Sequence, residues 1–159
     1  MFRKNKLNIA CIATVIVMSI LTIFVSTSAS YAVTYDTYTT NDLIFLARII
    51  NTEANDACDD EHKQLVGAVV MNRVNDPRFP DTIWDVAYQK GQYACVNSSK
   101  FWEYPSERSI QAAKNVLDKK FYCPSNVIFQ SEVRQGIGVY KTKAVKTPWY
   151  SSTTYFCYG

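Results

Sequence analysis

The sequence predicts an α+β domain in which helices come first and a small antiparallel sheet comes last, on three observations. Apolar residues recur at helical spacing through the first two thirds of the chain, and capping and stop residues punctuate those runs. Beyond Pro124 the pattern changes to short segments rich in β-branched and aromatic residues. At 159 residues, with no internal repeat or low-complexity segment, the chain has room for one such domain behind an N-terminal leader.

Residues 1–32 have the three parts of a secretory signal peptide. A basic start (Arg3, Lys4, Lys6) precedes an uncharged apolar run from Ile9 to Val25, and small residues lead to Ser30-Tyr31-Ala32. Cleavage is expected after Ala32. An uncleaved membrane anchor is the alternative, because the run approaches spanning length. Either outcome places the body of the protein outside the cytoplasm, secreted to the cell wall or its surroundings. The formal charge of +3 resides in the leader, since the rest carries as many acidic as basic side chains. A nucleic-acid partner is therefore not expected, nor a membrane once the leader is removed. The single histidine, His62, excludes metal sites built on paired histidines, and no metal is expected.

Residues 33–40, rich in Tyr and Thr, read as a short tether to a domain spanning 41–159. Thr39 and Asp42 have the spacing of a capping box, and Leu43, Leu46, Ala47 and Ile50 follow at i, i+3, i+4 and i+7. This first helix is apolar on its other side too, through Ile44, Phe45 and Ile49, so it should be a central helix enclosed by the rest. Asn55 and Asp56 end it. Asp59, Asp60 and Glu61 then suit the N-terminus of a second helix, which runs through Leu65, Val66, Val69 and Val70 to about Val74. Gly67 and Ala68 leave space for a neighbour, and Asn75-Asp76-Pro77 stops the helix. A short helix from about Asp81 to Tyr88 and another from Ser106 to Lys120 complete the helical part, with Lys119 and Lys120 placed to complement the last helix dipole. Three strands are expected: Asn126 to Gln130, Gly136 to Tyr140 and Thr153 to Tyr158.

Cys11 lies in the leader, which leaves Cys58, Cys95, Cys123 and Cys157 in the exported part. In an oxidising compartment these four are disulfide candidates, expected to form two bridges whose connectivity the spacing leaves open. Cys58 and His62, four residues apart, allow a second reading as a nucleophile and its base. His62 itself sits on the acidic start of a helix and reads as solvated.

Glu53 does not fit its helix. It falls three residues after Ile50 and seven after Leu46, so its carboxylate shares a side with core-facing residues. Apolar neighbours and the negative end of the helix dipole should both raise its pKa. A carboxylic acid held protonated near neutral pH is what general-acid cleavage of a glycosidic bond requires. The plainer reading is a structural ion pair with Arg73 or Arg48.

Several segments resemble the spore cortex-lytic family of cell-wall hydrolases: Asn51-Thr52-Glu53-Ala54, Gly67 through Val74, Phe79-Pro80-Asp81-Thr82-Ile83, and Tyr88-Gln89-Lys90-Gly91-Gln92-Tyr93. The order and spacing of these segments match, and the likeness extends from about Leu43 to Gly159. The resemblance implies a lysozyme-like fold and cleavage of peptidoglycan between N-acetylmuramic acid and N-acetylglucosamine, generally as a lytic transglycosylase. Glu53 matches the family's catalytic glutamate, which would protonate the bridging oxygen and then assist closure of the muramic 6-hydroxyl on the anomeric carbon. Gln92 and Tyr93 match a segment lining the glycan groove, with Tyr88, Gln130 and Asn72 as further substrate-binding candidates. No cofactor is implied, and a monomer acting on glycan strands is expected.

The chain departs from the family pattern at Asn55–Asp60, where a glycine and an acid are usual, and at Cys95, where a proline is common. Both departures flank the expected groove. Two readings compete with an enzyme using Glu53. One is a non-catalytic carbohydrate-binding domain, and the other is an amidase or peptidase using Cys58 and His62.

Overall fold

In the computed structural model the described residues are 38–159. The leader with Cys11, and residues 33–37 of the tether, lie outside them. The helical part consists of α1 (Thr40–Glu53), α2 (Asp60–Val74), α3 (Ile83–Tyr88) and α4 (Glu107–Leu117), with two 3₁₀ turns (Ala94–Asn97 and Ser99–Trp102) before α4. Three strands follow: β1 (Val127–Ser131), β2 (Gly138–Thr147) and β3 (Tyr150–Tyr158). They form one antiparallel sheet in the order β1-β3-β2. The expected α+β architecture is present, with helices followed by a small C-terminal sheet.

The helix boundaries follow from local chemistry. The Thr39 side chain accepts from the Asp42 amide while the Asp42 carboxylate accepts from the Thr39 amide, a complete capping box at the start of α1. Asp59 caps α2 by accepting from the His62 amide at 2.7 Å, and Ser106 caps α4. Helix α4 ends earlier than the sequence predicts. Lys119 adopts φ 57°, and the amides of Lys119 and Lys120 turn back to the carbonyls of Val116 and Asn115. That is a Schellman closure, which takes both lysines out of the last helical turn.

Helix α1 is central, as its two apolar sides require. Phe45, Leu46, Ala47, Ile49 and Ile50 are all buried, and α1 packs against α2, α3 and α4. Truncating any one of the three large aliphatic residues to alanine would cost about 2–5 kcal/mol. The tightest crossing is at Gly67, where a Cβ would stand 2.9 Å from Ile50 Cδ1 and 3.3 Å from Val116 Cγ2. A larger residue there would push α2 away from both neighbours.

Strands β2 and β3 are longer than the sequence predicts. The stretch Lys141–Thr147 is polar apart from the adjacent Ala144 and Val145, and only Val145 is buried, so it lacks the apolar signal of a strand. Two of its lysines, both partly buried, are held by the start of α2. Lys143 Nζ pairs with Asp59 at 2.6 Å and Glu61 at 2.9 Å, and Lys141 pairs with Glu61. These ion pairs bring the β2–β3 hairpin over the N-terminus of α2.

The end of α1 is held by Lys63, which arrives from α2 and is fully buried. Its Nζ donates to the Ala54 carbonyl at 2.6 Å and to Ser109 Oγ at 3.0 Å, and pairs with Asp56 at 3.1 Å. We expect Lys63→Met to lower the unfolding free energy by about 3 kcal/mol, because the buried Ala54 carbonyl loses its donor and the buried Ser109 hydroxyl loses one of its hydrogen bonds. Denaturant titration of both proteins checks this, and a loss below about 1 kcal/mol would rule out such a role for Lys63.

Candidate functional site

Glu53 is the last residue of α1, and it stands in a cleft of about 260 Å³ formed where the helix end meets the sheet. The helical side contributes Glu53, Asn55, Cys58, His62 and Val66; the sheet side contributes Gln130, Ser131, Glu132, Val145, Tyr150, Ser152 and Thr154. Tyr150, Ser152 and Thr154 alternate along β3 and so present their hydroxyls on one face. The cleft lining is predominantly polar, with Val66 and Val145 its apolar members.

The Glu53 side chain is open to solvent along the cleft, while protein surrounds its carboxyl group on the remaining sides. That desolvation raises its pKa above the ordinary carboxylate value, and a hydrogen bond from the Cys95 thiol partly opposes the shift. The Cys95 thiol is itself pushed up to about 12, by burial first and by the neighbouring Glu53 second, so it stays a donor. The structural pairing of Glu53 with Arg73 or Arg48 does not occur. Arg73 donates from Nε to the Ile128 carbonyl at 2.8 Å and lies over the rings of Phe79 and Tyr93. Arg48 lies over Trp102.

His62 is not solvated as the sequence predicts; it is 2% exposed. The β2–β3 hairpin covers it, and its ring meets Phe156 edge to face. Burial lowers its pKa, with Asp59 acting in the opposite direction. Its Nε2 is buried without a protein partner, and so is Gln130 Oε1 in the same cleft. Two unpartnered polar atoms beside a raised carboxyl group are suited to receiving a polar ligand.

Of the substrate-binding candidates, only Gln130 lines this cleft with Glu53. Asn72 is instead a structural clamp, its Nδ2 donating to the carbonyls of Pro124 and Val127 at 2.8 Å each. This joins α2 to the segment entering β1. Tyr93 is 4% exposed and packs beneath Arg73 rather than opening to the cleft. Tyr88 packs against Trp84 with the rings tilted, outside the cleft lining, and Gln92 is exposed in the turn after Gly91. Sequence reasoning missed Glu132, a second carboxylate in the cleft, together with Tyr150, Ser152 and Thr154. Their place follows from strand pairing across the sheet, which local spacing does not encode.

The two expected disulfides are absent, because Cys58, Cys95, Cys123 and Cys157 are all free thiols. Cys95 faces Glu53 and Thr52, and Cys123 lies against Asn72, so each is engaged by a different part of the fold. Burial raises the Cys58 thiol, the opposite of what activates a nucleophile, and His62 Nε2 makes no bond to it. Among the described residues no three His, Cys, Asp or Glu side chains gather to hold a metal ion.

A family model described as Cell Wall Hydrolase matches residues 59–157. The chain belongs to the cell wall hydrolase family. The matched segment includes α2, the sheet and most of the cleft, and it begins beyond Glu53. A spore cortex-lytic enzyme from Oceanobacillus iheyensis is 27% identical over 81 residues, which is 51% of this chain and 29% of that protein's length. The fold is shared with two solved structures. The catalytic domain of the Bacillus cereus SleB protein aligns with a TM-score of 0.57 at 18% identity, covering 76% of this chain and 92% of that one. The catalytic domain of a germination-specific lytic transglycosylase, SleB from Bacillus anthracis, gives the same TM-score and identity and is covered over 98% of its length. The lysozyme-like fold expected of this cell wall hydrolase is therefore present.

The geometry around Glu53 makes one electrostatic prediction. The Cys95 thiol stabilises the charged carboxylate, so removing it should favour the neutral form. In NMR titrations of the Glu53 side-chain carbon, the apparent pKa should exceed the ordinary value and should rise further in Cys95→Ala. A fall on substitution would mean that Cys95 does not donate to Glu53.

Proposed function

We propose that this chain is an exported enzyme that cleaves the glycan strands of peptidoglycan, with Glu53 as general acid and then base. The observation that supports this reading most directly is a carboxyl group of raised pKa at the floor of a polar cleft in a cell wall hydrolase fold. A glycosidic oxygen seated against Glu53 would take its proton as the bond to the anomeric carbon breaks. The resulting carboxylate then accepts a proton from the group that attacks the oxocarbenium-like centre. His62 Nε2 and Gln130 Oε1 supply hydrogen bonds to the sugar, and the hydroxyls of Tyr150, Ser152 and Thr154 line its path. We further propose that residues 1–32 direct export, that residues 33–40 tether the domain, and that the protein acts outside the cytoplasm on cell wall or spore cortex.

The attacking group distinguishes two outcomes. With the muramic 6-hydroxyl as nucleophile the product is an anhydro sugar, and a solved structure of the same fold is described as a lytic transglycosylase. Glu132 in the same cleft favours a second reading, in which this carboxylate activates water and the product is a reducing end. The two readings assign different importance to Glu132.

Mass spectrometry of soluble fragments released from purified cortex and vegetative peptidoglycan tests both. Glu53→Gln should lower release by about 10³-fold or more, the scale of losing general-acid catalysis together with its electrostatics. The parent should yield 1,6-anhydromuramic ends, and Glu132→Gln should leave their yield within a few-fold. Reducing ends that vanish in Glu132→Gln would establish hydrolysis instead. If the folded parent and Glu53→Gln release equal amounts, Glu53 is not the acid.

A further inference from the structure

A second depression, of about 400 Å³, opens along the N-terminal half of α1, outside the Glu53 cleft. Phe45, Trp84 and Trp102 line it together with Ile44, Asp42 and Arg48, and Tyr88 packs on Trp84 beyond the lining. Phe45 stacks on Trp84 with ring centroids 4.4 Å apart, Trp84 lies 4.8 Å from Tyr88, and Trp102 lies 6.2 Å from Trp84. Trp84 is 48% exposed, Tyr88 41% and Trp102 46%. Single exposed aromatic residues are ordinary on a protein surface, but a cluster of three half-exposed aromatic side chains in mutual contact around a buried Phe45 is the kind of patch that marks an interaction site.

Arg48 adds a polar requirement. Its guanidinium lies 5.1 Å from the Trp102 ring centroid, and its Nε is buried without a protein partner. An occupant must therefore offer both an apolar face for the rings and an acceptor for one N–H. A hydrocarbon chain would satisfy the rings and leave Nε unpaired, at the cost of a buried donor. A pyranose ring offers both, with C–H bonds on its faces and hydroxyl or carbonyl oxygens around its edge.

The position of the depression on α1 connects it to the cleft. Asn41, Phe45, Arg48 and Thr52 fall at i, i+4, i+7 and i+11, which is one stripe of the helix. The stripe ends at Thr52, whose side chain hydrogen-bonds Cys95, and Cys95 in turn donates to Glu53. At about 1.5 Å of rise per residue, Arg48 lies about 8 Å and Phe45 about 12 Å along the helix axis from Glu53. A strand held at Glu53 needs only a few sugar units to reach the rings. The described chain entering α1 does not claim this site either, because Tyr38 donates to Asp118 at the end of α4, which does not line it.

We propose that Trp84, Trp102 and Arg48 form a saccharide-binding subsite that holds a second sugar of the same glycan strand whose bond lies at Glu53. This inference rests on the glycan-cleaving reading. The subsite stacks a pyranose ring on the indoles, receives one ring oxygen at Arg48 Nε, and keeps a long strand in register with the acid.

Hydroxyl-radical footprinting of the full chain carrying Glu53→Gln, with and without a hexamer of N-acetylglucosamine, tests it. Bound hexamer should reduce labelling of Trp84 and Trp102 about fivefold or more, while Tyr122, 79% exposed and outside both sites, should be labelled equally in both. By titration calorimetry, Trp84→Ala and Trp102→Ala in the same background should each weaken hexamer binding by about tenfold. Hexamer that binds while Trp84 and Trp102 stay fully labelled would overturn the subsite and leave the Glu53 reading standing. The same holds for a chain that opens peptidoglycan but does not bind the hexamer. Failure of the parent chain both to bind the hexamer and to open peptidoglycan would overturn both proposals.

Discussion

Lys63 reaches from α2 into the space where α1 ends, and it satisfies the Ala54 carbonyl there while holding Ser109 of α4 and Asp56 of the following turn. The last turn of α1 contains no basic residue of its own, so this lysine supplies the positive group that a helix C-terminus attracts. The same knot extends to Asn51, whose Oδ1 accepts from the Ser109 hydroxyl and the Ser106 amide. Three helices are thus fixed around Asn51 and Ala54, which bracket Thr52 and Glu53. The proposed acid stands on a helix end that has little freedom to fray, and precise placement of an acid is a large part of what makes it effective.

The electrostatics around Glu53 are as notable for what is turned away as for what is present. Both nearby arginines are directed at aromatic rings, and Arg73 also serves a β1 carbonyl. Cys95, which faces Glu53, and His62, which shares its cleft, are shifted toward their neutral forms by burial. With no cation in an ion pair with Glu53 among the described residues, desolvation is the largest influence on the carboxyl group and raises its pKa. An arginine in contact would act in the opposite direction and favour the charged carboxylate.

The helices were legible in the sequence because their determinants are local. Thr39 and Asp42, Asp59, and the Asn75-Asp76-Pro77 stop each act within a few residues of the backbone groups they satisfy. Glu53 was legible for the same reason, as a charge in register with Ile50 and Leu46. Lys63 and His62 were not, because in a one-dimensional pattern a lysine and a histidine near an acidic helix start read as surface. Their burial depends on Ala54, Ser109 and the β2–β3 hairpin, which come together only in the fold. The sheet side of the cleft was hidden likewise. Gln130, Glu132 and Ser152 approach Glu53 because β3 pairs between β1 and β2, a consequence of topology that spacing along the chain does not carry.

The division between helix end and sheet also bears on specificity. A fold held in common at 18% identity is maintained chiefly by apolar positions of suitable size, and cores accept many sequences that meet that condition. The sheet side of the cleft is less constrained, since Gln130, Ser131, Glu132, Tyr150, Ser152 and Thr154 are partly or fully exposed and contribute little to the core. Substitutions there would change hydrogen bonding to a bound sugar without disturbing α1, Lys63 or the packing that positions Glu53. Under the proposed chemistry, the helix end therefore determines whether a glycosidic bond breaks, and the face of β3 determines which glycan is presented to it.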